Sequence, residues 1–346
     1  MSLAYDIIPV TLVTGFLGSG KSTLLADVLT GDAARDTAVL VNEFGEVGLD
    51  HLLMGEVDTQ TVLLDNGCVC CSIRGELKDA LAGLFSKRVR GDVPPFSRIV
   101  IETTGLATPA PIIATLLADP VIRSHYTLKA TITVVDALNA EVQRARHPEW
   151  LAQIGATDRI VISKVDLTTA QHIEQLKRSL HALNPLAEIV ERHASAEALR
   201  ELLFAPARFA PDSVRSVCGI GARTVRLGEG GGRLAHRAEV ERNDVVSSCI
   251  RIEAPLDWQI FTLWFTMLLN RHGDKILRVK GLLALEGADR PAVLHAVQHL
   301  VHPVLHLEAW PDASRASTLV FITEGLDGAA IEASYRRFCK ALALAA

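Results

Sequence analysis

The sequence lacks three features that would place it in other functional classes. It has no excess of positive charge: the formal net charge is −5, which gives no support for nucleic-acid binding. It has no long apolar run, since the most apolar helix-like segment, residues 260–269, is too short to cross a bilayer. It shows no secretory signal, because Asp6 and Pro9 interrupt the first apolar run and no cleavage site follows. We therefore expect a cytoplasmic protein without nucleic-acid or membrane partners.

Cysteine is also scarce, with six residues in 346, yet three of them crowd together as Cys68, Cys70 and Cys71. In a reducing compartment such a cluster predicts a metal site more than a disulfide, and thiolates favour Zn²⁺ or Cu⁺ over Mg²⁺. A closed zinc site usually has four ligands, so the fourth would come from Glu43, His51, a second chain or a client protein. An incomplete site suits a carrier that releases its metal. A buried cysteine cluster and a vicinal redox pair are the alternatives.

Glycine, by contrast, is concentrated in one informative stretch. Residues 15–23 read Gly-Phe-Leu-Gly-Ser-Gly-Lys-Ser-Thr, between an apolar run and a helix-like run, and fit the P-loop pattern G-x-x-x-x-G-K-[ST]. The glycines let backbone N–H groups converge on an anion at a helix N-terminus. Lys21 would reach the β- and γ-phosphates, and the Ser22 hydroxyl would bind Mg²⁺. The residues that we assign to nucleotide binding here are Gly15, Gly18, Ser19, Gly20, Lys21, Ser22 and Thr23.

Residues 1–193 alternate between strand and helix patterns. Strands are predicted at 10–14, 38–42, 61–64, 98–102, 130–135 and 159–163, and helices at 22–29, 75–86, 109–117 and 169–183. The strands are short and rich in Val and Ile, as expected when both faces are buried. This alternation predicts an α/β domain with a mostly parallel sheet and helices on both sides. Ligands of such sheets bind at the carboxyl ends of the strands.

Two of these strand ends carry acidic residues. The stretch 42–50 places three carboxylates and two glycines after the second strand; a loop that senses the γ-phosphate and Mg²⁺ and a solvated acidic turn explain it equally well. Residues 99–105 form an apolar strand that ends at Glu102 and is followed by Gly105. We expect Glu102 near Mg²⁺ or its waters, where it would support catalysis together with Lys21, and the Gly105 N–H on the γ-phosphate.

A third strand end, Ser163-Lys164-Val165-Asp166, is a degenerate form of the guanine-binding motif Asn-Lys-x-Asp, so we assign Ser163, Lys164 and Asp166 to nucleotide binding. The Asp166 carboxylate can accept hydrogen bonds from N1–H and N2–H₂ of guanine, a geometry that adenine does not offer. The aliphatic stem of Lys164 can cover the base. Ser163 replaces the usual Asn and loses an amide contact, which weakens the preference for GTP over ATP without removing it.

The C-terminal part of the chain has a different composition. Residues 194–246 are rich in Ala, Pro and Gly without clear periodicity, which predicts a flexible linker. Residues 247–346 predict a smaller α+β domain, with a sheet covered on one face by helices. It contains His295, His299, His302 and His306. The first two are spaced to share one face, so a secondary metal site and unconnected histidines are both open interpretations.

Taken together, these elements resemble the CobW-type GTPases, a family of P-loop metallochaperones and metal-insertion proteins. The resemblance rests on residues 15–23, 42–50, 68–71, 102–105 and 163–166, and extends through residues 275–281 to the C-terminal domain. It implies that the nucleotide switch and the thiolate site are coupled. It also implies metal binding at Glu43, Cys68 and Cys70 or Cys71. The long histidine-rich insertion of some members is absent, so a metal-storage role is not expected.

The leading hypothesis is a GTPase that hydrolyses GTP with Mg²⁺ and delivers a transition metal, with Zn²⁺ as the expected metal, to a client metalloprotein. A second hypothesis within the family is insertion of cobalt or iron into an enzyme or the cobalamin pathway. A third is a regulatory switch whose cysteines only hold the fold. A fourth is a small-molecule kinase or ATPase, which residues 163–166 disfavour. The sequence names neither client, metal nor oligomeric state, and a homodimer that depends on nucleotide or metal is compatible with it.

Overall fold

The computed structural model describes residues 7–30, 35–41, 60–63, 72–192, 195–205, 245–311 and 315–343. The chain divides into two compact units. The first comprises Met1–Lys177 and Ala187–Ala207, and the second Arg178–Leu186 and Arg208–Ala346. Among the described helices, none is long and apolar enough to cross a membrane.

The first unit is built on a parallel sheet of seven strands. Its strands are β1 (Ile8–Thr14), β2 (Thr37–Val41), β3 (Gln60–Leu63), β4 (Arg98–Glu102), β5 (Tyr126–Asp136), β6 (Arg159–Ser163) and β7 (Glu188–Glu191). They lie in the order β3-β2-β4-β1-β5-β6-β7, and every neighbouring pair is parallel. β1 therefore lies between β4 and β5, so the carboxyl ends of these three strands meet at one edge of the sheet. The prediction of an α/β domain with a parallel sheet is confirmed.

Helices connect these strands. They are α1 (Lys21–Val28), α2 (Ser72–Arg90), α3 (Ala110–Ala118), α4 (Pro120–His125), α5 (Ala140–Arg146), α6 (Pro148–Ala156), α7 (Ala170–Leu183) and α8 (Ala196–Phe204). A crossover between two parallel strands needs a long connection, which is usually a helix packed on a face of the sheet. The central strands are buried along most of their length, which explains why they are rich in Val, Ile and Leu.

The last of these helices lies within the segment predicted to be a linker. Ser195 caps the start of α8, where its side chain accepts a hydrogen bond from the Ala198 N–H. Its apolar residues Leu199, Leu202 and Leu203 are buried in the same core cluster as β1 and α1. The first part of residues 194–246 is thus a packed helix of the first unit rather than a linker. Residues 206–244 lie outside the described residues.

The second unit carries an antiparallel sheet. Its strands are β8 (Val245–Ile252), β9 (Ile276–Leu283), β10 (Ala292–Val297), β11 (Leu300–Val301), β12 (Leu305–His306) and β13 (Ser317–Glu324). They follow the order β11-β10-β9-β13-β8, and β12 also pairs with β10. α9 (Trp258–His272) and α10 (Gly328–Ala343) supply Phe261, Phe265 and Ile331 to the core cluster that includes Val279 and Phe321 of the sheet. The predicted α+β domain is confirmed.

Candidate nucleotide site

The loop between β1 and α1 has the backbone that its glycines predict. Gly20 precedes α1 with φ of 90°, a left-handed conformation that other residues rarely adopt. Gly15 has φ of 139°, and an added Cβ would lie 2.3 Å from the Val134 carbonyl oxygen. The chain can therefore turn tightly here and present the first N–H groups of α1, which have no acceptor within the helix. This is the geometry of an anion-binding loop.

Lys21 is folded back over this loop. Its Nζ donates to the carbonyl oxygens of Gly15 at 2.9 Å and Phe16 at 3.3 Å, and the residue is buried. The ammonium group is held by the P-loop itself, at the place that the motif assigns to the phosphates.

Ser22 and Glu102 bring two oxygen ligands together. Ser22 Oγ donates to Glu102 Oε1 at 2.7 Å, because β4 is paired with β1 in a register that aligns Glu102 with Val13. Glu102 is almost fully buried. A hydroxyl and a carboxylate oxygen are the donors that Mg²⁺ prefers, so the residues fit the predicted magnesium site.

The loop after β4 is packed directly against the P-loop. The Thr103 N–H donates to the Val13 carbonyl at 3.0 Å, and the buried hydroxyls of Thr103 and Thr14 are 2.9 Å apart. An added Cβ on Gly105 would lie 2.4 Å from the Leu17 nitrogen. Only glycine allows this approach. Packing against the P-loop therefore requires glycine at position 105, where a γ-phosphate contact was predicted.

Ser163 contacts the P-loop through its hydroxyl group. Its Oγ donates to the Ser19 carbonyl at 2.6 Å and lies 3.2 Å from the Val135 carbonyl, and the side chain is fully buried. The serine that departs from the Asn-Lys-x-Asp pattern therefore joins the end of β6 to the phosphate-binding loop. A contact between Ser163 and a base stays a prediction.

Lys164 forms an ion pair that the sequence did not predict. Its backbone is left-handed, with φ of 57°, and its Nζ lies 2.7 Å from Asp136 Oδ2. Asp136, at the end of β5, also accepts from the Leu138 N–H and the Asn139 side chain. Burial alone would raise the pKa of Asp136, but the hydrogen bonds from Lys164, Asn139 and Leu138 outweigh it and hold that pKa below its ordinary value. Asp166, on a short 3₁₀ turn, is exposed and accessible to a base.

Arg192 is a second residue that sequence reasoning missed. Its N–H donates to the Ile162 carbonyl at 2.9 Å, and its guanidinium pairs with Asp27 of α1 at 2.5 Å. An added Cβ on Gly20 would lie 3.6 Å from Nη1 of Arg192. The arginine thus places a positive charge beside the P-loop. Arg192 follows β7. The sequence patterns did not predict this strand, so nothing in the sequence indicated that Arg192 lies at a strand end.

The predicted metal ligands do not belong to the part of the chain that the structure describes. Glu43, Cys68, Cys70 and Cys71, like the whole acidic loop 42–50, lie outside the described residues. Within the described ranges, no group of three or more His, Cys, Asp or Glu side chains could hold a metal ion. The thiolate site therefore stays a prediction.

The C-terminal histidines make contacts of two kinds. The rings of His295 and His302 are stacked, with centroids 3.9 Å apart and planes 6° apart. The Nδ1 of His299 lies 2.8 Å from the Leu269 carbonyl at the end of α9, and its Nε2 lies 3.0 Å from Asp274 Oδ1. His299 is thus a partner for carbonyl and carboxylate oxygens at a helix C-terminus.

Comparison with known proteins identifies the family. Residues 9–191 match the nucleotide-binding domain of the CobW/HypB/UreG family, and residues 245–339 match the C-terminal domain of the cobalamin synthesis protein cobW. The chain belongs to the CobW family. The CobW resemblance inferred from the motifs is thereby confirmed.

Relatives of this CobW-family chain match it over nearly its full length. The zinc chaperone YjiA of Escherichia coli is 34% identical over 329 residues, which cover 95% of this chain and 98% of the relative. The zinc chaperone CobW of Pseudomonas aeruginosa is 29% identical, with 94% and 89% covered. The crystal structure of Zn(II)-bound YjiA GTPase superimposes with a TM-score of 0.68 at 27% identity, covering 96% of this chain and 99% of that one. The chain therefore contains both domains of the family.

Proposed function

We propose that this CobW-family protein is a GTP-hydrolysing metallochaperone that carries zinc to a client protein. The observation that carries the nucleotide part is the assembly of Lys21, Ser22 and Glu102 at the carboxyl ends of β1 and β4. The relatives' descriptions as zinc chaperones and as a GTPase support the same conclusion.

In this proposal the backbone N–H groups of the P-loop and the Lys21 ammonium hold the β- and γ-phosphates. Water attacks the γ-phosphorus, the bond to the β–γ bridging oxygen breaks, and GDP and phosphate are formed. Lys21 stabilises the negative charge that develops on the phosphate oxygens, which is the main contribution that a protein makes to this reaction. Ser22 and Glu102 would hold Mg²⁺, which neutralises phosphate charge when bound.

Guanine would bind beside Asp166 and Lys164. The Asp166 carboxylate accepts from N1–H and N2–H₂ of the base, and the Lys164 stem covers its face. The ion pair with Asp136 fixes the end of that stem. The Ser163 hydroxyl bonds the end of β6 to the P-loop. These contacts support a preference for GTP despite the replaced asparagine.

Zinc would bind to Glu43, Cys68 and Cys70 or Cys71, and its affinity would depend on the nucleotide. The experiment is a zinc titration in competition with a chromophoric chelator, on protein without nucleotide, with GDP and with a non-hydrolysable GTP analogue. We expect the affinity to change with nucleotide and to collapse in Cys68→Ser. Cys339→Ser is the matched control, since Cys339 of α10 is a free thiol outside the cluster. Equal, weak zinc binding in every state would instead favour the regulatory switch.

A further inference from the structure

One buried amide holds the loop that follows β4. Gln153 of α6 is fully buried, and its Nε2 donates to the carbonyl oxygens of Gly105 and Ala107, each at 3.0 Å. An amide nitrogen carries two hydrogens, so both are used on this one loop. Without them, the buried Gly105 carbonyl and the half-buried Ala107 carbonyl would lose this donor, which is costly for a group that water does not reach.

The same loop is also packed against the P-loop. The close approach of Gly105 to the Leu17 nitrogen leaves no room for a Cβ. Gly105 therefore lies between two fixed groups, the backbone of Leu17 and the amide of Gln153. If the P-loop moves at this point, either the hydrogen bonds to Gln153 of α6 must change or the loop that follows β4 must shift.

The helix that carries Gln153 is itself fixed to the site. The Thr133 hydroxyl of β5 donates to the Gln153 carbonyl at 3.1 Å, and Thr133 is aligned with Thr14 at the end of β1. The ring of His147, directly before α6, lies 4.5 Å from the ring of Phe16 in the P-loop. Helix α6 and the residue directly before it thus contact both loops that surround the predicted γ-phosphate position.

From these contacts we infer that Gln153 is a positioning residue for GTP hydrolysis. Its two hydrogen bonds set the path of residues 105–107, and thereby the position of the Gly105 N–H relative to the γ-phosphate. The inference rests on the proposed function, in which Gly105 contacts that phosphate. Because GDP has no γ-phosphate, Gln153 affects the binding of GTP and the rate of its hydrolysis, and leaves the binding of GDP nearly unchanged.

The decisive variants are Gln153→Met and Gln153→Glu. Methionine has a similar length but no donor, and we expect kcat to fall about ten- to a hundredfold, as for other misplacements of a reacting group. The preference for GTP over GDP should fall several-fold, with GDP affinity within about twofold of the wild type. In Gln153→Glu a protonated carboxyl can donate one of the two hydrogen bonds. Its activity relative to the wild type should therefore rise as the pH falls, a behaviour that a loss of packing would not produce.

Gln143→Met is the matched control, since Gln143 is another buried glutamine, on the neighbouring helix α5. It should retain the wild-type kcat and the wild-type preference for GTP over GDP. Circular dichroism and thermal unfolding establish that each variant is folded. Folded Gln153→Met and Gln153→Glu proteins with wild-type kcat, KM and nucleotide preference would overturn the inference.

A second measurement separates this inference from the proposed function. Amide hydrogen exchange in the nucleotide-free protein should be faster at residues 103–107 in Gln153→Met than in the wild type, while α1 is unaffected. If the wild type neither binds nor hydrolyses GTP, the proposed function fails on its own. Unchanged exchange at residues 103–107 in a folded Gln153→Met variant shows that Gln153 does not hold the loop, whatever the ligand.

Discussion

Ser22 Oγ donates a 2.7 Å hydrogen bond to Glu102 Oε1 across 80 positions of sequence. The contact exists because parallel pairing of β1 with β4 brings the end of each strand to the same edge of the sheet. A hydroxyl and a carboxylate that meet beside a P-loop lysine form a place for a cation and a triphosphate.

Glu102→Gln should abolish most of the hydrolysis without unfolding the protein. The amide keeps the shape and still accepts from Ser22, but it removes the negative charge beside the predicted Mg²⁺. We expect kcat for GTP to fall about a hundredfold or more, as when a preorganised electrostatic contact is lost. Steady-state phosphate release measures this effect. Glu141→Gln, an exposed change on α5, should leave the rate unchanged, and a Glu102→Gln variant with wild-type kcat would remove Glu102 from the mechanism.

Asp136→Asn should change the dependence of stability on pH. Because the pKa of Asp136 is lower in the folded protein than its ordinary value of 3.8, the unfolded protein binds more protons in that range. The stabilisation from Asp136 is therefore complete above this ordinary value and is lost as the pH falls through the lower folded pKa. Denaturant unfolding of both proteins should show a constant difference near neutral pH that shrinks on acidification below about pH 4.

The same variant should also affect base recognition, because it neutralises the partner of Lys164. We expect GTP to bind more weakly and ATP to be affected less, so that the preference for GTP falls. Competition between the two nucleotides for the same site measures this ratio. An unchanged ratio, together with the expected pH effect, would show that the Asp136–Lys164 pair stabilises the fold without acting on the base.

Arg159→Met should destabilise the first unit. The buried guanidinium donates to the carbonyls of Leu202 at 2.6 Å and Ala205 at 2.7 Å, at the end of α8. Methionine fills much of the volume but leaves these carbonyls without that donor, and we expect a loss of about 2–4 kcal/mol in the free energy of unfolding. Glu188→Gln is the control. Glu188 is 61% exposed and 3.3 Å from Arg159, so its loss should cost less than about 1 kcal/mol. Equal losses in both variants would contradict this account of α8.

The sequence predicted those parts of the site that follow from local pattern. A P-loop and apolar strands that end in Glu102 or Ser163 can be recognised from spacing, and the structure places them together. Asp136 was missed although it follows a predicted strand, because nothing local shows that its partner is Lys164, 28 positions later. The sequence predicted a linker where α8 lies, because the Ala- and Pro-rich segment that follows dominates the composition of this region. Its burial depends on contacts with distant parts of the chain, such as the bond from Thr11 to the Leu203 carbonyl across 192 positions.

Ser163→Ala should separate support of the P-loop from recognition of the base. The variant removes the donor to the Ser19 carbonyl, 144 positions away, and the loop that loses it serves every nucleotide. We therefore expect GTP and ATP to bind more weakly by the same factor, about fivefold for a hydrogen bond worth roughly 1 kcal/mol. Asp166→Ala is the contrasting variant: it should weaken GTP alone, because only guanine donates to that carboxylate. If Ser163→Ala instead weakens GTP binding and leaves ATP binding unchanged, Ser163 contacts the base. The sequence-based assignment of Ser163 to guanine binding would then be correct, and the role inferred from its contact with Ser19 would be wrong.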